Sequence, residues 1–302
     1  MTRIHLTGLI AAPYTPFDSE GRLNLAMVPR MASHLVQQGV SGAFICGTTG
    51  EWASLTREER MSTATAWRSV AGPGLKLIVH VGHNCLEDAR ELARHAESIG
   101  ADAIGALMPS FFKPAGIPAV VDFSRRIAEA APKTPFYYYH IPEMTGVDVP
   151  MHQMLPEISR AVPTFAGIKF THHNAMDFAL TSSAAGDQYD ILFGRDEFLL
   201  AGLVMGAKGA VGSTYNYSAK LYLKMMKDFA AGKMAEARAQ QVRIQRCIAP
   251  LLKYGPLGTG KACMSLVGVD CGPPRPPLKA VVGENLAAVR KDLEAENFFA
   301  DV

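Results

Sequence analysis

The sequence predicts an α/β fold: a (β/α)8 TIM barrel followed by a C-terminal helical extension. Eight short apolar runs recur along the chain, and segments with helical patterns of mixed charge lie between them. Each run is apolar throughout, as expected of a parallel strand that is buried on both faces. The length of 302 residues accommodates such a barrel, which needs about 250 residues. An open doubly wound sheet is the alternative architecture for the same pattern.

The strands and helices are predicted in strict alternation. The eight strands are predicted at 6–12, 42–46, 75–81, 102–108, 135–140, 165–170, 190–194 and 209–213. Clear helical patterns lie between them at 25–39, 57–72, 85–100 and 198–209. Gly39, Gly72 and Gly100 end three of these helices, as glycine commonly does. The helix after the eighth strand is expected to end near Gly232, so the predicted catalytic barrel domain spans 1–232.

The remaining residues, 233–302, carry no strand pattern. Helical patterns occupy 235–255 and 260–268, and a Pro-rich connection at 271–280 precedes a last charged helix. We therefore predict a C-terminal helical region that packs onto the barrel.

Composition excludes several classes of partner. Thirty Lys and Arg residues balance 28 Asp and Glu residues, so no basic surface is predicted for nucleic acid or an anionic membrane. The longest apolar helical run, 198–207, is too short to cross a bilayer, and the N-terminal segment has no signal-peptide pattern. Five scattered cysteines without a CxxC motif indicate a reduced, cytoplasmic compartment.

In such a barrel, functional residues lie at the carboxyl ends of the strands. GTTGEW at 47–52 directly follows the second strand. Its glycines allow backbone N–H groups to approach an anion, and Thr48 and Thr49 add hydroxyl donors. The simpler interpretation is a helix start, in which Thr48 and Glu51 form a capping box.

Lys169 lies near the end of the sixth strand, FAGIKF. Burial lowers the pKa of a lysine, and the neutral amine can then form a Schiff base with a ketone. The alternative is a lysine whose charged end reaches solvent.

In PFYYYHIP, Tyr137 and Tyr139 share one strand face. A tyrosine facing the barrel interior near Lys169 is able to move a proton, whereas aromatic packing is the simpler role.

Asp196 and Glu197 follow the seventh strand in GRDEFLLAG. They either stabilise a helix N-terminus or hydrogen-bond a polyol.

GPLGTGKA at 255–262 matches GxxxxGK, but it follows a helix and has Ala262 where a phosphate loop needs Ser or Thr, so we predict no nucleotide site. His80 and His83, like the adjacent His172 and His173, lack metal-ligand spacing, and we predict no metal site.

Taken in order, GTTGE, Y-x-IP, G-x-K, G-x-DE and GSTYN resemble the dihydrodipicolinate synthase/N-acetylneuraminate lyase family of pyruvate-dependent class I aldolases. The resemblance runs along nearly the whole chain, from GLIAAPYTPF to GPPRPPL. PFYYYHIP, LFGRDE and LVMGAKGAVGSTYNY are most similar to its animal-type N-acetylneuraminate lyases. The resemblance implies a (β/α)8 barrel, a homotetramer, and a reaction that needs no cofactor or metal.

The resemblance also implies roles for individual residues. Lys169 would be the Schiff-base lysine and Tyr139 the acid/base tyrosine. Thr48 and Thr49 would bind the pyruvate carboxylate. The residues that would contact the sugar-derived part of the substrate are Thr171, Gly194, Asp196, Glu197, Gly212 and Ser213.

Two positions depart from other branches of the family. Where the synthase branch has an arginine for a second substrate carboxylate, this chain has Met144, which cannot pair with a carboxylate. Many members also have a tyrosine that reaches a neighbouring subunit's site as a proton relay, where this chain has Phe111 and Phe112. The first departure favours an uncharged, polyol-type aldehyde, and the second leaves the proton route open.

The activity that the resemblance implies is cleavage of N-acetylneuraminate to N-acetylmannosamine and pyruvate. A related aldolase or dehydratase acting on another 2-keto-3-deoxy sugar acid is the first alternative. A ligand-binding protein that has kept the barrel without catalysis is the second, because fold and function can separate.

Overall fold

The computed structural model describes residues 5–302; residues 1–4, with which the predicted barrel domain begins, lie outside the described part. Eight parallel strands are hydrogen-bonded in chain order, and the last pairs with the first over four residues to close a barrel. This closure confirms the (β/α)8 fold and excludes the open sheet. The strands are β1 Gly8–Ala11, β2 Gly42–Ile45, β3 Lys76–His80, β4 Ala103–Ala106, β5 Phe136–His140, β6 Phe165–Phe170, β7 Asp190–Phe193 and β8 Gly209–Gly212.

Helices follow the strands and cover the outside of the barrel. They are α1 Val28–Gln37, α2 Arg57–Val70, α3 Leu86–Ser98, α4 Gly116–Ala128, α5 Pro142–Thr145, α6 Met151–Ala161, α7 Ala175–Ala185, α8 Leu199–Val204 and α9 Tyr215–Ala230. Short 3-10 helices occupy Leu25–Met27, Trp52–Ser54, Asp196–Phe198 and Phe298–Ala300. Most strands are shorter than predicted by one or two residues at an end, because the apolar runs extend into the adjoining loops.

The core consists of two apolar clusters, one inside the barrel and one between the strands and the helices. Strand β5 contributes side chains to both. Tyr137 and Tyr139 belong to the smaller cluster inside the barrel, whereas Tyr138 belongs to the larger cluster between strands and helices. The pleat of a strand, which turns successive side chains to opposite faces, produces this alternation. Low in the barrel, the Tyr137 hydroxyl donates to Asp190 over 2.7 Å. Tyr139 lies one layer higher, towards the carboxyl ends of the strands.

The C-terminal residues form α10 Met234–Tyr254, α11 Pro256–Leu266 and α12 Gly283–Ala295. Helix α11 begins four residues before the predicted 260, because Pro256 is well suited to a first helical turn. Residues 256–261 of the GxxxxGK segment are helical, so no phosphate loop forms there. Between residues 5 and 302, no helix is both long and apolar enough to span a membrane.

Candidate active site

Lys169 projects from β6 into the barrel interior and is 4% exposed. Its amine lies 3.9 Å from the ring centre of Tyr139 and 4.2 Å from that of Phe44. Burial lowers the pKa of Lys169 to about 7, and the negative charge of Asp196 opposes part of that shift. A substantial fraction of the amine is therefore neutral at pH 7. The structure thus contradicts the alternative in which this lysine reaches solvent.

Tyr139 is paired with Lys169 across the β5–β6 ladder. Its hydroxyl lies 3.2 Å from the hydroxyl of Thr48, within hydrogen-bonding distance. Burial raises the pKa of Tyr139 to about 12, although the contact with Thr48 lowers it in part. Tyr139 is therefore a neutral phenol at pH 7, and the contact with Thr48 offers a path by which a proton can leave or enter.

The loop after β2 is not a helix start, so the capping-box interpretation of Thr48 and Glu51 is wrong. Glu51 has a φ of +55° and precedes a short 3-10 helix without capping it through its side chain. The capping box lies one motif later, where Thr56 and Glu59 begin α2. Thr48 instead turns towards Tyr139.

A cavity of about 210 Å³ opens over Lys169 at the carboxyl ends of the strands. The structure brings nearly all the predicted site residues together around it; those that line it are Lys169, Tyr139, Thr48, Thr49, Thr171, Gly194, Asp196, Gly212 and Ser213. Glu197 does not line the cavity. The site therefore combines an amine with several hydroxyls and one carboxylate.

Asp196 does not stabilise its own short helix; it is bound to the loop after β8. Its carboxylate accepts hydrogen bonds from the Thr214 backbone N–H over 2.8 Å and from the Thr214 hydroxyl over 2.7 Å. A side chain on Gly212 would meet the Asp196 carboxylate at 2.8 Å, and one on Gly194 would meet the Thr171 hydroxyl at 2.0 Å. Both glycines are therefore required for the close packing of the cavity wall.

Glu197 lies behind the cavity in a small charged network. Arg195 contacts both Glu143 and Glu197, and its guanidinium is 3.3 Å from the Glu197 carboxylate. Burial, with the negative charge of Asp196 beside it, raises the pKa of Glu197 to about 7. The network places a titratable carboxyl next to Asp196, at the end of the site predicted for the polyol.

The chain matches the family model "Dihydrodipicolinate synthetase family" over residues 5–296. It belongs to the dihydrodipicolinate synthetase family. The predicted resemblance is thereby confirmed over nearly the whole chain.

Its similar relatives include proteins named N-acetylneuraminate lyase. The mouse protein of that name is 41% identical over 300 residues, which cover 98% of this chain and 94% of the mouse protein. The solved structure of Proteus mirabilis N-acetylneuraminate lyase has a TM-score of 0.94 at 39% identity and covers 97% of this chain and 99% of its own. That of the Aliivibrio salmonicida lyase (sialic acid aldolase) has a TM-score of 0.94 at 37% identity, covering 99% and 98%.

Several contributors to this dihydrodipicolinate synthetase-family site were not predicted. Phe44 of β2 faces the amine of Lys169, and Tyr14 lines the cavity with its hydroxyl unpartnered. Pro256 and Leu257 bring the first turn of α11 to the same wall. Of these, only Phe44 could have been found from the sequence, because strand alternation places it on the face that points into the barrel. Such a residue is ordinarily interpreted as apolar packing.

Glu51 connects the GTTGE loop to the C-terminal region through a buried ion pair. Its carboxylate lies 3.1 Å from the Lys261 amine, and both side chains are almost fully buried. The same amine donates to the carbonyls of Thr15 and Pro273. The backbone N–H of Arg275 donates to the second carboxylate oxygen over 2.9 Å. Lys261, the lysine of the GxxxxGK match, is therefore fully engaged, and it holds the GTTGE loop at 47–51, which we call the threonine loop.

Replacing Lys261 with Met should lower the free energy of unfolding by about 3–5 kcal/mol, because the Glu51 carboxylate would stay buried without its cation. The double variant Glu51→Gln/Lys261→Met should lose less, since no unpaired charge remains. Urea unfolding measures both. Lys224→Met is the matched control: this exposed lysine pairs with Asp228 on α9, and its loss should cost under about 1 kcal/mol. Equal losses for Lys261→Met and Lys224→Met would contradict the assignment.

Proposed function

We propose that this protein is a class I aldolase that cleaves N-acetylneuraminate to N-acetylmannosamine and pyruvate through a Schiff base on Lys169. The observation that carries the proposal is the buried Lys169 amine, 3.9 Å from the ring of Tyr139 at the base of a polar cavity. Similarity to relatives named N-acetylneuraminate lyase, at about 40% identity over nearly their full lengths, supports this substrate.

The reaction begins when neutral Lys169 attacks the C2 ketone of the open-chain sugar acid. Loss of water gives a protonated imine, which accepts the electron pair of the C3–C4 bond as that bond breaks. The C4 hydroxyl loses its proton and becomes the aldehyde product. Protonation of the remaining enamine at C3, followed by hydrolysis, releases pyruvate and restores the amine. The imine stabilises the developing carbanion, so the step needs no metal or cofactor.

Tyr139 is the acid/base group in this proposal, and its environment sets the order of events. As a phenol of raised pKa, it is a poor base in the free enzyme. Imine formation places a permanent positive charge close to its ring, and a nearby cation lowers the pKa of a phenol. Tyr139 therefore becomes able to take the proton of the C4 hydroxyl only after substrate is covalently bound, and Thr48 lies at the Tyr139 hydroxyl to pass the proton on.

The two ends of the substrate are held by different groups. Thr48 and Thr49, with their backbone N–H groups, bind the carboxylate and so orient the C2 ketone towards the amine. Asp196, Ser213 and Thr171 face the polyol. Gly194 and Gly212 allow close approach there, and Glu197 acts through Asp196 from behind the wall.

The pKa of Lys169 predicts how the rate changes with pH. Below pH 7 the amine is protonated and cannot attack, so kcat/KM should fall about tenfold per pH unit. Above pH 7 the neutral form predominates and this dependence should level off. A pH profile of pyruvate release at low substrate concentration measures the change. A flat profile between about pH 5.5 and about pH 8 would contradict the assignment of Lys169 as the nucleophile.

A related aldolase or dehydratase acting on another 2-keto-3-deoxy sugar acid would use the same lysine and tyrosine. Pyruvate release should therefore be measured with N-acetylneuraminate and, in parallel, with a six-carbon 2-keto-3-deoxy sugar acid. We expect faster release from N-acetylneuraminate. Release only from the shorter acid would replace the proposed substrate and keep the mechanism. Pyruvate binding without product from either acid would instead support a non-catalytic protein.

We also propose a homotetramer in the cytoplasm. Phe111 and Phe112 are 80% and 85% exposed and form an edge-to-face pair, an arrangement that favours burial against a second subunit. The five cysteines are free thiols, as in proteins of reducing compartments. Sedimentation equilibrium tests the assembly, and a monomer at micromolar concentration would exclude it.

A further inference from the structure

A second cluster of ligand-type side chains lies outside the barrel wall, behind the candidate active site. His140 is the last residue of β5, and His172 comes two residues after the end of β6. Asp148 belongs to the segment between α5 and α6. One ligand atom from each of these three residues lies within 4.8 Å of those of the other two. Three separate segments of the chain therefore converge on one point.

His140 lacks the partners that a buried imidazole normally has. Its side chain is fully buried, and neither ring nitrogen has a hydrogen-bond partner. The rings of Tyr138 and Phe170 pack around it, and they offer no acceptor or donor at this position. The Nδ1 atom of His172 is likewise buried without a partner. A buried polar nitrogen without a partner is unfavourable, so a ligand bound at one ring nitrogen of His140 would relieve part of that cost.

The donor set identifies the chemical class of that component. We propose that His140, Asp148 and His172 bind one divalent transition metal ion of the zinc class. Two imidazoles and one carboxylate suit Zn²⁺, Co²⁺ or Ni²⁺, whereas Mg²⁺ and Ca²⁺ prefer oxygen ligands.

The geometry requires only a small contraction. Metal–ligand bonds of about 2.1 Å place tetrahedral ligand atoms about 3.4 Å apart. The Nε2 atom of His172 already lies 3.9 Å from an Asp148 carboxylate oxygen. Asp148 is exposed, with 65% of its side chain accessible, so rotation of this side chain can close its gap to His172. The fourth position would be taken by water, because Asp148 is open to solvent.

The inference goes beyond the proposed function, because the retro-aldol step on Lys169 uses none of these three residues. A bound ion would join the end of β5 to the loops before α6 and α7. Thr171, which lines the active-site cavity, directly precedes His172. The ion would therefore fix one wall of the cavity from behind without entering it.

Cobalt binding to the tag-free, chelator-treated protein tests the proposal. We expect one Co²⁺ per chain by isothermal titration and strong visible absorption bands from a tetrahedral site with two nitrogen ligands. His172→Gln and Asp148→Asn should each weaken binding at least about tenfold, since even changes outside the first ligand shell cost that much. His173→Gln is the matched control: this neighbour pairs with Glu143 and should bind cobalt as the parent does.

The outcomes separate an ion from its alternatives. Absence of saturable binding, as expected if a water bridges the two histidines, would overturn the proposal. Equal affinity in the parent and in His172→Gln would also overturn it. The thermal midpoint of each metal-free variant shows that the fold is intact. Pyruvate release is measured separately on metal-free protein, so failure of the metal site and failure of the aldolase proposal remain distinguishable.

Discussion

Replacing Lys169 with Ala should lower the rate of pyruvate release by about 10⁶-fold, the loss seen when a covalent nucleophile is removed. The amine has no substitute, because Tyr139 and Phe44 are the groups that face it. Steady-state release from N-acetylneuraminate measures the loss. Mass analysis after treatment with pyruvate and borohydride gives a second readout: the parent should carry the reduced adduct on Lys169, and the variant should carry none.

Lys208→Ala is the matched control for the nucleophile. This lysine is exposed and pairs with Asp187, so both the rate and the borohydride adduct should remain as in the parent. An adduct elsewhere in fully inactivated parent protein, with the Lys169 peptide unmodified, would remove Lys169 from the mechanism.

Replacing Tyr139 with Phe should reduce kcat by about 10²–10⁴-fold, the usual contribution of a positioned acid or base. The ring that packs against Lys169 is kept, and so is the threonine loop, so pyruvate should still form the reducible adduct. The predicted result is therefore a low kcat with adduct formation largely retained. Stopped-flow measurement of cleavage and borohydride trapping separate the two steps.

Tyr254→Phe controls for the loss of a phenol in general. Tyr254 ends α10, outside the cavity, and its replacement should leave kcat unchanged. If Tyr139→Phe turns over as fast as this control, the proton must travel by another group, and Tyr139 serves only in packing.

The barrel could be predicted from sequence because its signal is local. A strand buried on both faces needs an apolar run such as FAGIKF, whatever its neighbours are. The paired helical patterns then limit the topology to a few arrangements. No local pattern encodes closure of the barrel. The first and last strands are neighbours, with Gly8 paired to Gly209, although they are far apart in sequence. The sequence predicted this pairing only because it contains eight regularly spaced strands.

The same distinction between local and long-range signals decides which site residues could be predicted. Lys169 and Tyr139 were predictable because they stand at strand ends, where such a barrel carries its chemistry. Glu51 was misassigned because Thr48-x-x-Glu51 and Thr56-x-x-Glu59 both fit a capping box. Glu51 differs from Glu59 in its ion pair with Lys261, which is far away in sequence. The convergence of His140 with His172 was equally hidden, because it depends on the register of β5 against β6.

During synthesis, the groups that hold Glu51 leave the ribosome well after the eight strands. The eighth strand ends at Gly212, but Lys261 and Arg275 follow much later in the chain. A nascent chain that has emerged only as far as β8 can pair all its strands, yet it would bury a carboxylate with no cation beside it. We therefore expect such a chain to remain loosely closed around its threonine loop, and the enzyme to acquire activity only after Lys261 and Arg275 have emerged.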